Sequence, residues 1–417
     1  APAGSVAPTP QGFDVVRLRH EFPILRSEVN GHPLVYLDNA ATPQIHRSAM
    51  EAMADHDMFQ RANIMRGTHH LAEAATAAYE EARAQAARFL NAATPDEVVF
   101  TAGTTAALNL VAHSFGDTLR PGDEVMLSLA EHHSNLVPWQ LLRQRRGIVL
   151  KFLPLTADGR IDLAALAGML TPRCRLVALT HCSNVTGAIT DVATVVAAAR
   201  GVGARVLLDG AQQVQHGPVD VQALDIDFYA FSGHKCFGPN GIGVLWARGE
   251  ILEAMPPFLV GGGMVGEVTP EGSTFARPPQ RFEAGTPPIA EAVGLGTVLA
   301  WLSTLPWQAI RAHENELLRR LLAGLRQRSD IRILGPVDLE ARQPVVSFDI
   351  AGLHPHDVCQ VLDRHGVALR GGHHCAQPLI RHFGLDGANR ASIAMYTTHA
   401  DIDALLDGLD DVVAVLR

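Results

Sequence analysis

The sequence predicts an α/β fold: a large, mainly parallel sheet with helices on its faces, followed by a second, smaller α/β unit. Short apolar runs of strand length alternate with helical patterns along most of the chain, which is the signature of a parallel sheet flanked by helices. Polar segments follow those runs at their carboxyl ends, where open sheets of this kind form their ligand crevice. From about residue 307, helical sequence leads into a new strand-like run, Pro344-Val345-Val346-Ser347-Phe348-Asp349, which begins the smaller unit.

Residues 1–11 lack a basic start and a long apolar stretch, so they read as a flexible tail rather than a signal peptide. Leu71, Ala75, Ala78, Ala82 and Phe89 fall near one helical face, and Val98-Val99-Phe100-Thr101 then reads as a strand. Gly103-Thr104-Thr105 opens the next helix. Free amides and two hydroxyls at its positive end would make a phosphate cradle, although the same residues alone equally describe an ordinary helix cap. Further strands are expected at 124–128, 176–180, 205–208 and 227–230, with His132, Asn184, Asp209 and Lys235 just past their ends. Pro256-Pro257 and Gly261-Gly262-Gly263 read as a mobile loop leading toward Thr286.

Composition narrows the function. A chain of 417 residues that is 47% hydrophobic and 18% charged can bury a sizeable core in more than one domain. A formal charge of −9 argues against a general nucleic-acid binder, which needs a basic face. No apolar run is long enough to cross a bilayer, so no membrane partner is expected. Five cysteines without a Cys-x-x-Cys pair suggest free thiols in a reducing, cytoplasmic setting and no metal site.

Three segments carry chemistry. In Arg370-Gly371-Gly372-His373-His374-Cys375-Ala376, one thiol lies beside two imidazoles and a guanidinium. Thiolate rather than thiol attacks, and cationic neighbours favour it, so Cys375 reads as a nucleophile on a glycine-loosened loop of the small unit. Lys235 follows an apolar run and precedes a glycine-rich turn, a setting in which desolvation lowers the amine pKa toward Schiff-base chemistry. Asp209 ends the run Val206-Leu207-Leu208-Asp209, where a carboxylate can pair with a pyridinium nitrogen. Such a lysine and carboxylate are combined by pyridoxal phosphate enzymes. The other thiols, Cys174, Cys182, Cys236 and Cys359, read as structural.

On these segments the chain resembles the type II cysteine desulfurases, the SufS-like branch of the class V aminotransferases. The resemblance also rests on Tyr36-Leu37-Asp38-Asn39-Ala40-Ala41-Thr42, Glu131-His132-His133-Ser134-Asn135, Thr180-His181-Cys182-Ser183-Asn184, Arg281-Phe282-Glu283-Ala284-Gly285-Thr286-Pro287 and Arg390-Ala391-Ser392-Ile393-Ala394-Met395-Tyr396. It covers nearly the whole chain beyond residue 12, and its specificity lies in the joint order of the motifs. One departure is Met65, which precedes Arg66-Gly67 where many relatives carry histidine.

The resemblance implies pyridoxal phosphate transferase fold type I, like aspartate aminotransferase, with a seven-stranded large sheet. It implies a segment at 12–34 packing near the small domain, a large cofactor-binding domain at 35–304 and a small domain at 305–417. Lys235 would carry the cofactor and move protons at the substrate α-carbon, and Asp209 would keep the pyridine nitrogen protonated. Gln212 and Asn184 would bond the cofactor or substrate edge. Thr104, Thr105, Ser232 and His234 would hold the phosphate, with Thr286 completing the pocket from a second subunit of a homodimer. His132 would stack on the ring and assist proton transfer, though by itself the motif describes a helix-start histidine with a structural bond. Arg390, aided by Arg370, would bind the substrate carboxylate, since a guanidinium fork matches two oxygens.

The activity implied is conversion of L-cysteine to L-alanine with a persulfide left on Cys375, feeding iron–sulfur cluster assembly. Selenocysteine lyase activity and a catalytically silent sulfur-trafficking scaffold are the alternatives. The acceptor is expected to be a SufU-like or SufE-like protein. In Leu353-His354-Pro355-His356-Asp357-Val358, the proline interrupts the local pattern and leaves an imidazole facing solvent, where His356 could ligate the zinc of a SufU-like acceptor.

Overall fold

The computed structural model describes residues 13–417, so the tail read at 1–11 lies outside the described residues. Seven strands form the large sheet in the order Val98–Thr101, Gly243–Ala247, Phe228–Ser232, Arg205–Asp209, Cys174–Thr180, Glu124–Ser128, Val149–Leu153. Six run in one direction and only Gly243–Ala247 is antiparallel to its neighbours. Most of these strands are buried on both faces, which explains why they read as nearly continuous apolar runs.

Alternate residues feed two cores, as the strand period requires. Val177, Leu179, Val206, Leu208 and Phe231 pack on one face with Ala75, Tyr79, Leu295 and Leu299 of the helices His70–Leu90 and Ile289–Leu302. Leu176, Ala178, Leu207 and Phe228 pack on the other with Leu108 and Trp139 of Thr104–Ser114 and Val137–Arg146. The expected face of His70–Leu90 holds at Ala75, Ala82 and Phe89, whereas Leu71 is 44% exposed. Its phase matches that of Phe89, but in the first turn Ala72 rather than Leu71 is the buried residue.

A second, antiparallel sheet runs Ile331–Leu334, Val345–Ile350, Ala388–Ser392, Arg370–Gly372. Helices Trp307–Arg326, Pro355–Asp363 and His399–Leu416 close its core around Leu321, Val346, Phe348, Val358 and Leu405. The amino-terminal segment meets both units, with Phe22 packed in the large core beside Phe237 and other residues fastened to the smaller unit. Val35–Tyr36 pairs with Val367–Ala368, Asp38 bridges Ser392, and Arg19 meets Asp401 at 3.0 Å.

Two local expectations change. The region read as a loop before Thr286 contains a hairpin, Val265–Thr269 with Gly272–Phe275, whose exposed residues carry no apolar alternation to betray it. Pro355 does not interrupt the backbone but starts the helix Pro355–Asp363, at the position where its missing N–H costs nothing. Among the described residues, no single helix is long and apolar enough to cross a membrane.

Candidate active site

Lys235 closes the short turn Gly233–Lys235 beyond the strand Phe228–Ser232, so it sits one turn past the strand end expected for it. Its Nζ donates to the Ala40 carbonyl at 2.5 Å, and Gln212 Nε2 donates to the same oxygen at 2.7 Å. Burial, helped by the Arg390 charge, pulls the Lys235 pKa from 10.5 to about 7, against the opposing pull of Asp209. The amine is therefore substantially neutral near neutrality, as a nucleophilic amine must be.

Asp209 is the last residue of Arg205–Asp209 and is buried. Burial raises its carboxyl to about 6, although the Ala211 N–H bonded at 3.0 Å and the Lys235 charge both oppose this. A carboxylate so desolvated gains from a cation placed beside it.

Hydroxyls converge at the start of Thr104–Ser114. Thr104 N–H donates to Ser232 Oγ at 2.8 Å, and the Thr104 and Ser232 hydroxyls lie 2.7 Å apart. Gly103 has φ 132, and a side-chain carbon there would come within 3.2 Å of Ser232 Oγ. The next amides of the helix stay open to a ligand. Thr105 Oγ1 reaches Ser134 Oγ at 2.7 Å, and Ser134 N–H donates to His132 Nδ1 at 3.1 Å. That bond assigns the His132 proton to Nε2. Burial, then Lys235, holds His132 down at about 4, so the ring is neutral. His234, half-buried beside Lys235, is likewise lowered to about 4 by burial.

The opposite wall comes from the smaller sheet. Arg390 is buried; its Nη1 donates to the Asn184 carbonyl at 3.0 Å and Nη2 to Asp38 Oδ1 at 3.3 Å, while its buried Nε has no partner. Arg370 turns its Nε and Nη2 onto the Asp38 carboxylate at 2.8–3.1 Å, so that edge is engaged by the protein itself. Asn184 Nδ2 donates to the His374 carbonyl at 2.7 Å, giving it a hold on the cysteine loop.

Cys375 is exposed, whereas Cys174, Cys182 and Cys236 are buried and Cys359 is half-buried. Burial pushes Cys174 and Cys359 up to about 11 and Cys182 to about 12. Cys236, beside Lys235, rises further for the same reason. Both His374 (φ 52) and Cys375 (φ 55) are left-handed, a conformation uncommon outside glycine. Imidazoles hold that turn: Cys375 N–H donates to His373 Nδ1 at 3.1 Å and Gln377 N–H to His133 Nε2 at 3.3 Å. His133 N–H donates in turn to the Cys375 carbonyl at 2.8 Å. Gly371 and Gly372, read as loosening this loop, instead lie in the edge strand Arg370–Gly372. There a side-chain carbon on Gly371 would meet the Pro355 carbonyl at 2.8 Å.

These walls enclose one cleft of about 980 Å³. Lys235, Asp209, Gln212 and His132 line it together with Thr104, Thr105, Ser232 and His234, and so do Asn184, Arg370, Arg390 and Cys375. Thr286 does not: it is exposed and lies outside the cleft of its own chain. Its segment is anchored by Glu283, which accepts from Arg83 at 2.7 Å and from Phe100 N–H at 2.7 Å. Sequence reasoning missed Asp38, Ser134 and the acceptor roles of His133 and His373. All four stand in motifs it had singled out, and the partners of Asp38 and His133 are far away in the chain.

A seven-stranded, mainly parallel sheet of this order, joined to a small antiparallel-sheet unit with the cleft between them, defines the fold type I class of pyridoxal phosphate proteins. The chain belongs to the class-V aminotransferase family, whose model matches residues 35–405. A cysteine desulfurase of Dickeya dadantii (strain 3937) is 48% identical over 95% of this chain and 96% of its own. A crystal structure of the Escherichia coli cysteine desulfurase CsdA, as the S-sulfonic acid, superposes with a TM-score of 0.90 at 40% identity, covering 97% of this chain and 99% of that one. A C-DES mutant with glycine covalently linked to its PLP cofactor aligns at 25% identity and a TM-score of 0.79, over 94% of this chain and 99% of that one.

Proposed function

We propose that this protein is a pyridoxal phosphate-dependent cysteine desulfurase that converts L-cysteine to L-alanine and receives the sulfur on Cys375. The observation that carries the reading is the single cleft in which a depressed lysine, a buried carboxylate and a guanidinium with a free buried N–H face an exposed thiol. The cofactor fits this set. Lys235 would carry it, Asp209 would face its ring nitrogen, and Thr104, Thr105, Ser232 and His234 would take its phosphate at the helix start, where Gly103 leaves room for a close approach.

When bound, pyridoxal phosphate supplies an electron sink for the substrate α-carbon. The chain does the rest. Arg390 holds the substrate carboxylate through its free Nε–H edge. Lys235 Nζ, neutral at its lowered pKa, takes and returns the proton at the α-carbon. His132, neutral with its proton on Nε2, can donate but carries no charge into the cleft. Asp209 keeps the ring-nitrogen proton in place. Cys375 Sγ, as thiolate, attacks the substrate sulfur from the rim and keeps it as a persulfide, while the substrate Cβ–S bond breaks and leaves its electron pair on the carbon skeleton, which is protonated and released as alanine.

Incubation with L-cysteine should release alanine and add one sulfur to Cys375, read by amino-acid analysis and mass spectrometry. Cofactor-loaded protein that releases no alanine sinks the proposal.

The reading extends to partners and setting. A homodimer in which Thr286 completes the neighbouring cleft is supported by the exposure of Thr286 and of Met58, Phe59, Met65 and Leu71. A zinc-containing, SufU-like acceptor feeding iron–sulfur cluster assembly is supported by His356, which is exposed on the cleft rim with its ring 3.2 Å from where a Gly371 side-chain carbon would stand. Free thiols support the cytoplasm. The division at 12–34, 35–304 and 305–417 is supported by the separate cores of the two sheets.

A further inference from the structure

Arg370 and Arg390 stand directly opposite each other on neighbouring antiparallel strands, and both line the cleft. Like charges so placed repel. The group that offsets them is Asp38, only 8% exposed, which lies behind the cleft wall on the segment running beside Ser392. Its two contacts are unequal. Arg370 grips the carboxylate from the side with Nε and Nη2 at 2.8–3.1 Å, whereas Arg390 touches it with Nη2 alone at 3.3 Å and leaves Nε unpartnered.

We propose that Asp38 is a positioning residue that neutralises one of these two guanidinium groups and so sets the cleft to take a monocarboxylate amino acid in preference to a dicarboxylate. The proposal rests on the reading of Arg390 as the group that binds the substrate carboxylate. Side-on recognition of a carboxylate uses the Nε and Nη2 edge of arginine. On Arg390 an incoming carboxylate gains the free Nε–H and displaces only the long Asp38 contact, while Asp38 stays clamped to Arg370. Two guanidinium groups and one carboxylate leave a single net positive charge on this wall, and one ligand carboxylate balances it. A second carboxylate would find Arg370 already paired and Asp38 repelling it. This also accounts for the placement of Arg370, which faces the cleft but directs its fork away from the ligand side.

The test compares binding of L-alanine and L-aspartate to the holoenzyme, by the change in cofactor absorption and by calorimetry. Wild-type protein should favour alanine. D38N should shift the ratio of the two dissociation constants toward aspartate by about tenfold or more, since it exposes a second uncompensated cation. R370Q should do the reverse: it leaves Asp38 to Arg390 alone, weakens alanine binding and raises the KM for L-cysteine more than it lowers kcat. The double variant D38N/R370Q restores one net charge and should recover the preference for alanine. A purely structural Asp38 predicts lost stability with an unchanged ratio, and that result overturns the proposal. If D38N fails to fold, R370Q carries the test, and unchanged alanine binding in R370Q overturns it too. Wild-type protein that binds neither amino acid would refute the carboxylate role of Arg390 instead, an outcome separate from lost selectivity.

Discussion

The floor and the rim of the cleft use the same residue types in opposite surroundings. On the floor, Lys235 and Asp209 are displaced from their ordinary pKa values chiefly by burial, the amine downward to about 7 and the carboxyl upward to about 6. At the rim, Cys375 is exposed, and its turn is held by imidazoles that accept backbone amides. Cys236 and Cys375 make the contrast sharpest. Cys236 is adjacent to Lys235 in sequence, yet burial drives its thiol pKa up and removes it from chemistry. The difference teaches that the floor tunes protons by desolvation, while the rim leaves a thiol exposed, as the proposed transfer from substrate to an acceptor requires.

The largest effects should come from breaking the floor. Lys235→Ala removes the residue proposed both to anchor the cofactor and to move the α-proton. Alanine release should fall by at least about 10²–10⁴-fold, and the yellow colour of the holoprotein should be lost or become fixed as a non-exchanging adduct. A variant that turns over normally would place the chemistry elsewhere. Asp209→Asn keeps the shape but removes the charge proposed to face the ring nitrogen. Some cofactor should remain while turnover drops roughly 10²–10³-fold, the scale of losing one preorganised electrostatic partner.

Cys375→Ala separates the two regions. It should still bind L-cysteine, seen as a change in cofactor absorption, but form no persulfide by mass spectrometry. Sulfur appearing at full rate on Cys359 or another thiol would transfer the nucleophile's role to that residue.

The pH dependence of cofactor loading sharpens the same contrast. Only the neutral amine attacks a carbonyl, and Lys235 loses its proton near 7 rather than at 10.5. Loading of apoprotein should therefore rise with pH, reach half its maximum near 7 and then level off. A rate still climbing toward 10.5 would mean the amine is solvated. Because the Asp209 charge raises the lysine pKa, Asp209→Asn should move that midpoint to lower pH.

Legibility in the sequence followed the same divide. Lys235 and Asp209 were readable because each follows an apolar strand, and a parallel sheet delivers such residues to its ligand edge. The cysteine was readable from its neighbours, but the reason attached to it changed. Gly371 serves close packing against Pro355, Gly372 takes a φ of 131 that disfavours a side chain, and His373 serves as an acceptor. Asp38 could not be assigned its part from sequence, because Arg370 lies 332 residues away and nothing local shows that they meet. The hairpin after residue 264 escaped for another reason: exposed on both faces, it has no burial pattern to read.

The smallest effect on intrinsic turnover should come from His356, and it bears only on the outward side of the rim. His354 accepts the His356 N–H at 3.3 Å and so caps the helix Pro355–Asp363, leaving the exposed His356 ring, 5.0 Å from that of His354, free for another partner. An imidazole there can replace a thiolate ligand on an acceptor's zinc and release that thiol to take the sulfur. His356→Ala should keep its alanine release with a small-molecule reductant, because the ring contacts neither Lys235 nor Asp209. It should lose most of its stimulation by a zinc-containing acceptor, with about a tenfold loss expected for a removed metal-linked contact. His354→Ala is the control for the cap: it should lower thermal stability by about 0.5–2 kcal/mol, the usual value of a lost helix cap, while retaining acceptor stimulation. If both variants respond fully to the acceptor, or if only a metal-free acceptor stimulates the enzyme, the rim histidine takes no part in transfer and the outward path of the sulfur depends on the Cys375 turn alone.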